Sequence, residues 1–326
     1  MSESVGLERA AELIRGAQRI AVFTHVNPDG DAIGSSFGLG GVLRALGKQF
    51  KLFFANPIPD SYRPFAFLPF QTEAEDLADF DLAIQVDTAN SERIAAPQGV
   101  TVSNTLPLLV IDHHPDNQRY GRWNVVGDNA AACEMIYKLS QMLIGKPDKE
   151  TATALLLGMI SDTGCFRYTN STPGALTTAA ELIGVGAAHT EIINALFFSK
   201  DEKRARFEGE LVAGHMDFHF DGKVVIVRIP PQLIEKYSIN MADTEGLVDV
   251  FRALKNVEIA IVMYLRPDGQ LKLTIRAENP ERPVAPIARA LGGGGHNMAA
   301  GCLREHGDAA RATDEVLKLL QDNYYR

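Results

Sequence analysis

The sequence predicts an α/β protein, with a parallel sheet in an N-terminal domain and a smaller α+β domain after it. Three observations predict this. Over the first 165 residues strand-like and helix-like stretches alternate. Those strand stretches are continuously apolar, as in parallel sheets covered on both faces. After Asp162 the pattern changes to charged helical stretches and then to a hairpin.

The elements follow in order. "MSESVGLERAAELIRGAQ" reads as an amphipathic helix with Leu7, Ala10, Ala11 and Ile14 on one face, and it lacks the apolar core of a signal peptide. "RIAVFTH" (19–25) is a buried strand, and a helix of small residues runs from Asp31 to about Leu46. Further strands are "KQFKLFFA" (48–55), "FDLAIQVDT" (80–88) and "LPLLVIDHH" (106–114), with helices at about 130–144 and 149–160. Residues 173–216 look helical. "MDFHFDGKVVIVRIP" (216–230) is a hairpin turning at Asp221-Gly222. Helical stretches at 231–238 and 243–254, strands at 256–266 and 270–278, a short helix, a glycine loop and a last helix complete the chain. The expected domains are 1–190 and 223–326, joined by a helical linker over 191–222.

Composition sets limits. A chain of 326 residues, 46% hydrophobic and 22% charged, suits a globular protein of two domains. Its longest apolar runs, "LPLLVI" and "ATALLLGMI", are far below the roughly 20 residues that cross a bilayer. No membrane is expected, and nothing directs the chain out of the cytoplasm. Three widely spaced cysteines, Cys133, Cys165 and Cys302, fit a reduced compartment better than disulfides or a zinc knuckle. Net charge is −9; residues 223–326 carry 14 Lys+Arg against 13 Asp+Glu, leaving 18 against 28 in residues 1–222. No basic face for long duplex DNA is evident.

Four separated segments end in hard-metal ligands: "THVNPDGDA" (24–32), "QVDTAN" (85–90), "IDHHP" (111–115) and "ISDTGCF" (160–166). Read as strand ends along one edge of a parallel sheet, they bring His25, Asp29, Asp31, Asp87, His113, His114 and Asp162 together. A single aspartate at such a place serves as a helix cap about as often as a ligand; four segments together weaken that reading. Carboxylates and imidazoles without thiolate favour Mn²⁺ or a similar octahedral ion. Six ligand side chains exceed the need of one ion and suit two, spaced roughly 3.5–4 Å apart and sharing a carboxylate.

These residues carry a resemblance. "DHH" at 112–114, with "HVNPDGDAIGSS", "VDTAN" and "SDTGCFRYTN", resembles the DHH phosphoesterase superfamily, and "TIRAENP…ARALGGGGHNMAAG" (274–301) resembles its DHHA1 domain. The whole arrangement is similar to the nanoRNase and 3′-phosphoadenosine 5′-phosphate phosphatase branch. The resemblance implies an N-terminal DHH domain, a DHHA1 domain and an active site in the cleft between them. It implies His25 and Asp29 on one ion, Asp31, His113 and Asp162 on the other, and Asp87 bridging them, with manganese the favoured metal. His114 would touch the scissile phosphate or tune the site from behind, unless it is structural, since adjacent residues of an extended segment point opposite ways.

On the substrate side, the glycines of "GGGGHNMAAG", Gly294 and Gly295 among them, offer main-chain N–H groups to a phosphate. His296 would contact a terminal phosphate and Arg276 would clamp a non-scissile one. Arg167 is a lesser candidate, equally explained by an ordinary ion pair. Trp123 could stack on a base, although packing is the usual role of a lone aromatic. Two departures from the family pattern, Ala131-Ala132-Cys133 in place of a Ser/Thr pair and "RAE" (276–278) in place of "RS", bear on substrate preference more than on hydrolysis.

The expectation is a Mn²⁺-dependent phosphohydrolase degrading very short RNA to mononucleotides and dephosphorylating 3′-phosphoadenosine 5′-phosphate. The alternative is a phosphodiesterase of cyclic dinucleotides or linear products such as pApA. A type II pyrophosphatase fits "GGGGH" poorly, and a RecJ-type exonuclease needs more chain. A non-catalytic nucleotide sensor would be expected to have lost ligands first. The partners implied are short RNA oligonucleotides or small phosphorylated nucleotides. A homodimer is compatible with the sequence, which does not itself give an oligomeric state.

Overall fold

The computed structural model describes residues 2–73, 76–94, 106–239, 244 and 246–325. The chain divides into two compact units, Met1–Ser199 and Lys200–Arg326. The stretch read as a linker, 191–222, is shared between them.

The first unit contains β1 (Glu3–Ser4), α1 (Leu7–Gly16), β2 (Arg19–Phe23), α2 (Gly30–Ala45), β3 (Gln49–Phe53), β4 (Leu82–Val86), β5 (Leu108–Asp112) and β6 (Trp123–Val126). Helices α3 (Ala132–Ile144), α4 (Lys149–Asp162), α5 (Pro173–Val185) and α6 (His189–Phe197) follow. The sheet has strand order β1-β6-β5-β4-β2-β3, and each pair is parallel. Alternate residues of its central strands (Ile20 and Val22, Ile84 and Val86, Leu109 and Ile111) join helix residues such as Ile14, Phe37, Ile136 and Leu155 in one core. The other residues of the same strands, including Ala21, Phe23, Ala83 and Val110, pack a smaller core with Leu77, Phe80 and Leu106 on the opposite face. Burial on both faces explains why the strands read as unbroken apolar runs.

Helix α2 is buried along nearly its whole length, which its small residues allow. Gly30, Gly34, Gly38 and Gly41 face Ser161, Ala154 and Gly158, Leu155, and Thr151 of α4, each so close that an added Cβ would collide. The two helices therefore lie antiparallel, with the end of α4 beside the start of α2.

The second unit contains α7 (Glu202–Gly214), β7 (Met216–His219), β8 (Val224–Arg228), α8 (Pro231–Tyr237), α9 (Leu247–Arg252), β9 (Ile259–Leu265) and β10 (Leu271–Ala277). It ends with α10 (Ala285–Ala290), β11 (Gly294–Gly295), β12 (Ala299–Arg304) and α11 (Ala309–Asn323). Strand order is β11-β12-β10-β9-β8-β7, with β8–β9 parallel and the other pairs antiparallel. The hairpin expected at Asp221-Gly222 is present, with left-handed backbone at Phe220, Asp221 and Gly222. Strand β9 is buried on both faces: Ile259, Ile261 and Met263 against α10 and α11, Ala260, Val262 and Tyr264 against α7, α8 and α9. The helix expected over 243–254 occupies Leu247–Arg252, and residues 240–243 and 245 lie outside the described residues.

Strands β1, β6 and β11 lie where the sequence predicts none. Two of the four consecutive glycines are strand: β11 pairs with β12, Gly294 opposite Gly301 and Gly295 opposite Ala300. Trp123 opens strand β6 and packs against the core, held between β1 and β5. A four-residue strand bounded by polar loops has too little periodicity to be read from sequence. Among the described residues no helix is long and apolar enough to cross a membrane.

Candidate metal centre

The chain leaves β2 for β3 on one side and later returns to place β4 on the other side of β2. In an open parallel sheet such a switch point opens a crevice beyond the carboxyl ends of the strands. His25 follows β2 by two residues, Asp87 follows β4 directly, and His113 and His114 follow β5. Asp29 caps α2, its Oδ1 accepting from the N–H groups of Asp31 and Ala32, each at 3.1 Å. Asp31 sits in the first turn of α2.

Asp162 arrives differently. It is the last residue of helix α4, not the end of a strand. The glycine contacts between α2 and α4 carry it to the site, and packing of that kind is not visible in the local sequence.

Asp87 stands between two groups of side chains. Its Oδ2 is 3.6 Å from His25 Nε2, which also faces Asp29 Oδ1 at 3.8 Å. Its Oδ1 is 3.5 Å from His113 Nε2, which faces Asp31 Oδ2 at 3.7 Å and Asp162 Oδ2 at 3.2 Å. These separations approach the roughly 3 Å between neighbouring ligand atoms of an octahedral ion with 2.1 Å bonds. Asp87 Oδ1 is buried and makes no hydrogen bond. A buried carboxylate oxygen in that state calls for a cation. Asp87 also holds a left-handed backbone, φ 51°, which costs on the order of 1 kcal/mol for a residue with a side chain.

The imidazoles are oriented from behind. His25 Nδ1 lies 2.9 Å from the Val26 carbonyl and His113 Nδ1 3.2 Å from the Asn129 carbonyl. Carbonyls only accept, so each Nδ1 carries a hydrogen and each Nε2 is turned to the carboxylates, where the neutral ring offers its lone pair to an ion. Asp31 is gripped by the start of α3: the Ala132 N–H donates to Oδ2 at 2.6 Å and the Cys133 N–H to Oδ1 at 3.0 Å. Ala131, the N-cap of α3, supplies no side-chain bond, so Asp31 caps that helix from another element. Because these donors are main-chain groups, the unusual Ala-Ala-Cys sequence leaves them intact.

Charge is unbalanced without a cation. Burial and the nearby Asp87 and Asp162 push Asp31 well above the usual carboxylate range. Burial opposes the charged form of His25, but the facing carboxylates of Asp29 and Asp87 overcome it and raise the ring to about 10. His113 is raised as well, burial being outweighed by Asp162 and Asp87. The cluster thus recruits protons where a divalent ion would serve. Burial and Asp31 push the Cys133 thiol up, so no thiolate competes and the donor set is oxygen and imidazole nitrogen. The residues present fit a pair of hard divalent ions.

Residues 19–159 match the family model described as the DHH family, N-terminal domain. Over 322 residues the chain is 33% identical to the bifunctional oligoribonuclease and PAP phosphatase NrnA of Thermus thermophilus, covering 97% of this chain and 94% of that relative. The chain belongs to the DHH phosphoesterase family. It is also 30% identical, over 93% of each chain, to the NrnA protein of Bacillus subtilis. In fold it matches an exopolyphosphatase-related protein from Bacteroides fragilis, with TM-score 0.86, 22% identity and coverage of 97% and 95%. DHH phosphoesterases use divalent metals, and the acidic and histidine clusters here could bind them.

In this DHH phosphoesterase the motif's own aspartate was not among the expected site residues. Asp112 is fully buried, accepting from His114 Nδ1 at 2.8 Å and from Asn117 Nδ2 at 2.6 Å. It fixes the orientation of His114. His113 and His114 do not point opposite ways: their rings lie 4.8 Å apart, tilted by 59°. Strand β5 ends at Asp112, so pleated alternation no longer applies to the two histidines.

The expected substrate residues of the second unit lie on one hairpin and its neighbour. Arg276 is near the end of β10, paired with Ala299 of β12, and its Nη1 donates to the Ile275 carbonyl at 3.2 Å. Gly294 and Gly295 form β11. Gly295 has φ 131°, and a Cβ there would lie 2.6 Å from the Ala299 carbonyl oxygen, so only glycine fits without strain. His296 and Ala299 exchange main-chain hydrogen bonds across the turn, at 2.8 and 3.1 Å. Arg167, in the first unit, is tied to its own loop. Its Nε donates to the Gly164 carbonyl at 2.6 Å, and its guanidinium lies 5.5 Å from the Phe197 ring centroid.

Proposed function

We propose that this DHH phosphoesterase is a manganese-dependent hydrolase of very short RNA, releasing mononucleotides, that also removes the 3′-phosphate of 3′-phosphoadenosine 5′-phosphate. The observation that carries the reading is Asp87, whose two oxygens face separate ligand groups at 3.5 and 3.6 Å. The names of the relatives from Thermus and Bacillus support the choice of substrates.

His25, Asp29, Asp31, Asp87, His113 and Asp162 would hold two ions. Bound there, such ions supply Lewis acidity toward the phosphoryl group and make water a nucleophile near neutral pH. His114, with Nδ1 turned to Asp112, would donate from Nε2 to a phosphoryl oxygen. Arg276 would grip a second phosphate bidentately. Gly294, Gly295, His296 and Arg167 complete the substrate residues of this reading.

The test is turnover by purified protein of RNA 2- to 5-mers, 3′-phosphoadenosine 5′-phosphate, pApA and cyclic di-AMP, with Mn²⁺ against Mg²⁺. Preference for the first two with Mn²⁺ is expected. Faster turnover of pApA or cyclic di-AMP would replace this reading by that of a cyclic-dinucleotide phosphodiesterase.

A further inference from the structure

Strand β10 alternates strictly. Leu271, Leu273, Ile275 and Ala277 are buried, whereas Lys272, Thr274 and Arg276 between them are half-buried. The buried set belongs to the core with α10 and α11, and no β10 residue belongs to the core that covers the other face of β9. Lys272, Thr274 and Arg276 therefore share a face at two-residue intervals, about 6.8 Å apart along the strand. Opposite them on β12 stand Leu303, Gly301 and Ala299 in register.

Two features of this row ask for a ligand. Among the described residues neither Lys272 nor Arg276 is held in an ion pair. Beside them Gly301 and Ala299 leave the floor nearly bare, and Leu303, next to Lys272, is 45% exposed. Such a row matches a single-stranded chain carrying one negative charge per nucleotide at a similar spacing, with an apolar side chain against which a base can lie.

We infer that this face of β10 is a phosphate track for short RNA, in which Lys272 and Leu303 form an outer subsite engaged only by chains of three or more nucleotides. Arg276 takes a phosphate near one end of the track, Thr274 donates to the strand between, and Lys272 meets the phosphate beyond. The inference rests on the proposed action on short RNA and adds that chain length is read on this strand. Lys272 is thus a specificity residue, not a catalytic one.

The test is equilibrium binding of fluorescently labelled RNA 2- to 6-mers to the full chain, with Ca²⁺ in place of Mn²⁺ to hold turnover. The wild type should bind the 5-mer more tightly than the 2-mer. Lys272→Ala should shrink that gain roughly three- to tenfold, the range for losing one charged contact near the surface. It should also reduce the salt slope of 5-mer binding by about 0.7, one phosphate contact on a single strand. Lys272→Arg should restore both, and Leu303→Glu should abolish the gain. Melting curves check that these variants are folded. An equal loss at every length, or none at any, overturns the inference. Absence of RNA hydrolysis by the wild type with Mn²⁺ would instead defeat the functional reading, while the binding ratio still judges the track.

Discussion

Gly158 of α4 lies so close to the site that a Cβ added to it would stand 2.5 Å from Asp31 Oδ1. The same atom would press on the Cys133 sulfur. A glycine on a packed helix thus defines where a candidate metal ligand can be. Gly158→Ala should push Asp31 off its two main-chain donors. Overpacking costs about 1–3 kcal/mol of stability, and disturbing groups that orient a ligand costs metal affinity roughly 10–100-fold. Calorimetric titration with Mn²⁺ reads the second effect; unchanged binding of two ions would show that Asp31 needs no such support.

Asp87→Asn keeps nearly the shape of the side chain, and asparagine tolerates the left-handed backbone at this position. What is lost is the charge shared between the His25 and His113 groups. Turnover should fall by at least about a thousandfold, since several kcal/mol of transition-state stabilisation are removed. A variant that retained more than a tenth of wild-type activity would remove Asp87 from the bridging role.

Metal binding should release protons. In the ion-free protein His25 is raised to about 10 by Asp29 and Asp87 acting against burial, whereas the unfolded ring titrates near 6.5. Its contribution to the ion-free fold is therefore full below about pH 6.5 and is lost as pH rises toward 10. An ion needs the neutral ring, so apparent affinity for Mn²⁺ should rise with pH between 7 and 9. Calorimetry at pH 8 in two buffers of different ionisation enthalpy should show at least one proton released per chain. Identical heats in both buffers would contradict this.

Manganese should also stabilise the fold. At a concentration one hundred times the dissociation constant a bound ion adds about 2.7 kcal/mol. For a unit of this size that is a rise in melting temperature of about 5–10 °C, reversed by a chelator. A melting curve indifferent to both additions would speak against a preformed centre.

Asn117→Ala removes the donor to Asp112 Oδ2. The aspartate then holds His114 with less constraint, and kcat on a dinucleotide should drop about tenfold with KM nearly unchanged, the equivalent of one lost hydrogen bond to a charged group. A rise in KM at constant kcat would place His114 in ground-state binding instead.

The parallel sheet, the hairpin of the second unit and the seven acidic and imidazole side chains that stand around one crevice were all legible in the residues alone. Apolar runs ending in Asp or His are local signals, and strand ends in a parallel sheet must share an edge. How Asp162 reaches that edge was not legible there, since its route depends on glycines of α2 meeting residues more than a hundred positions away. The same holds for Asp31, oriented by N–H groups of a helix it does not belong to, and for Gly294 and Gly295, which form a strand because β12 is there to pair with them. Main-chain donors and close helix contacts leave no mark on the residues they position, so they are seen only once the chain is folded.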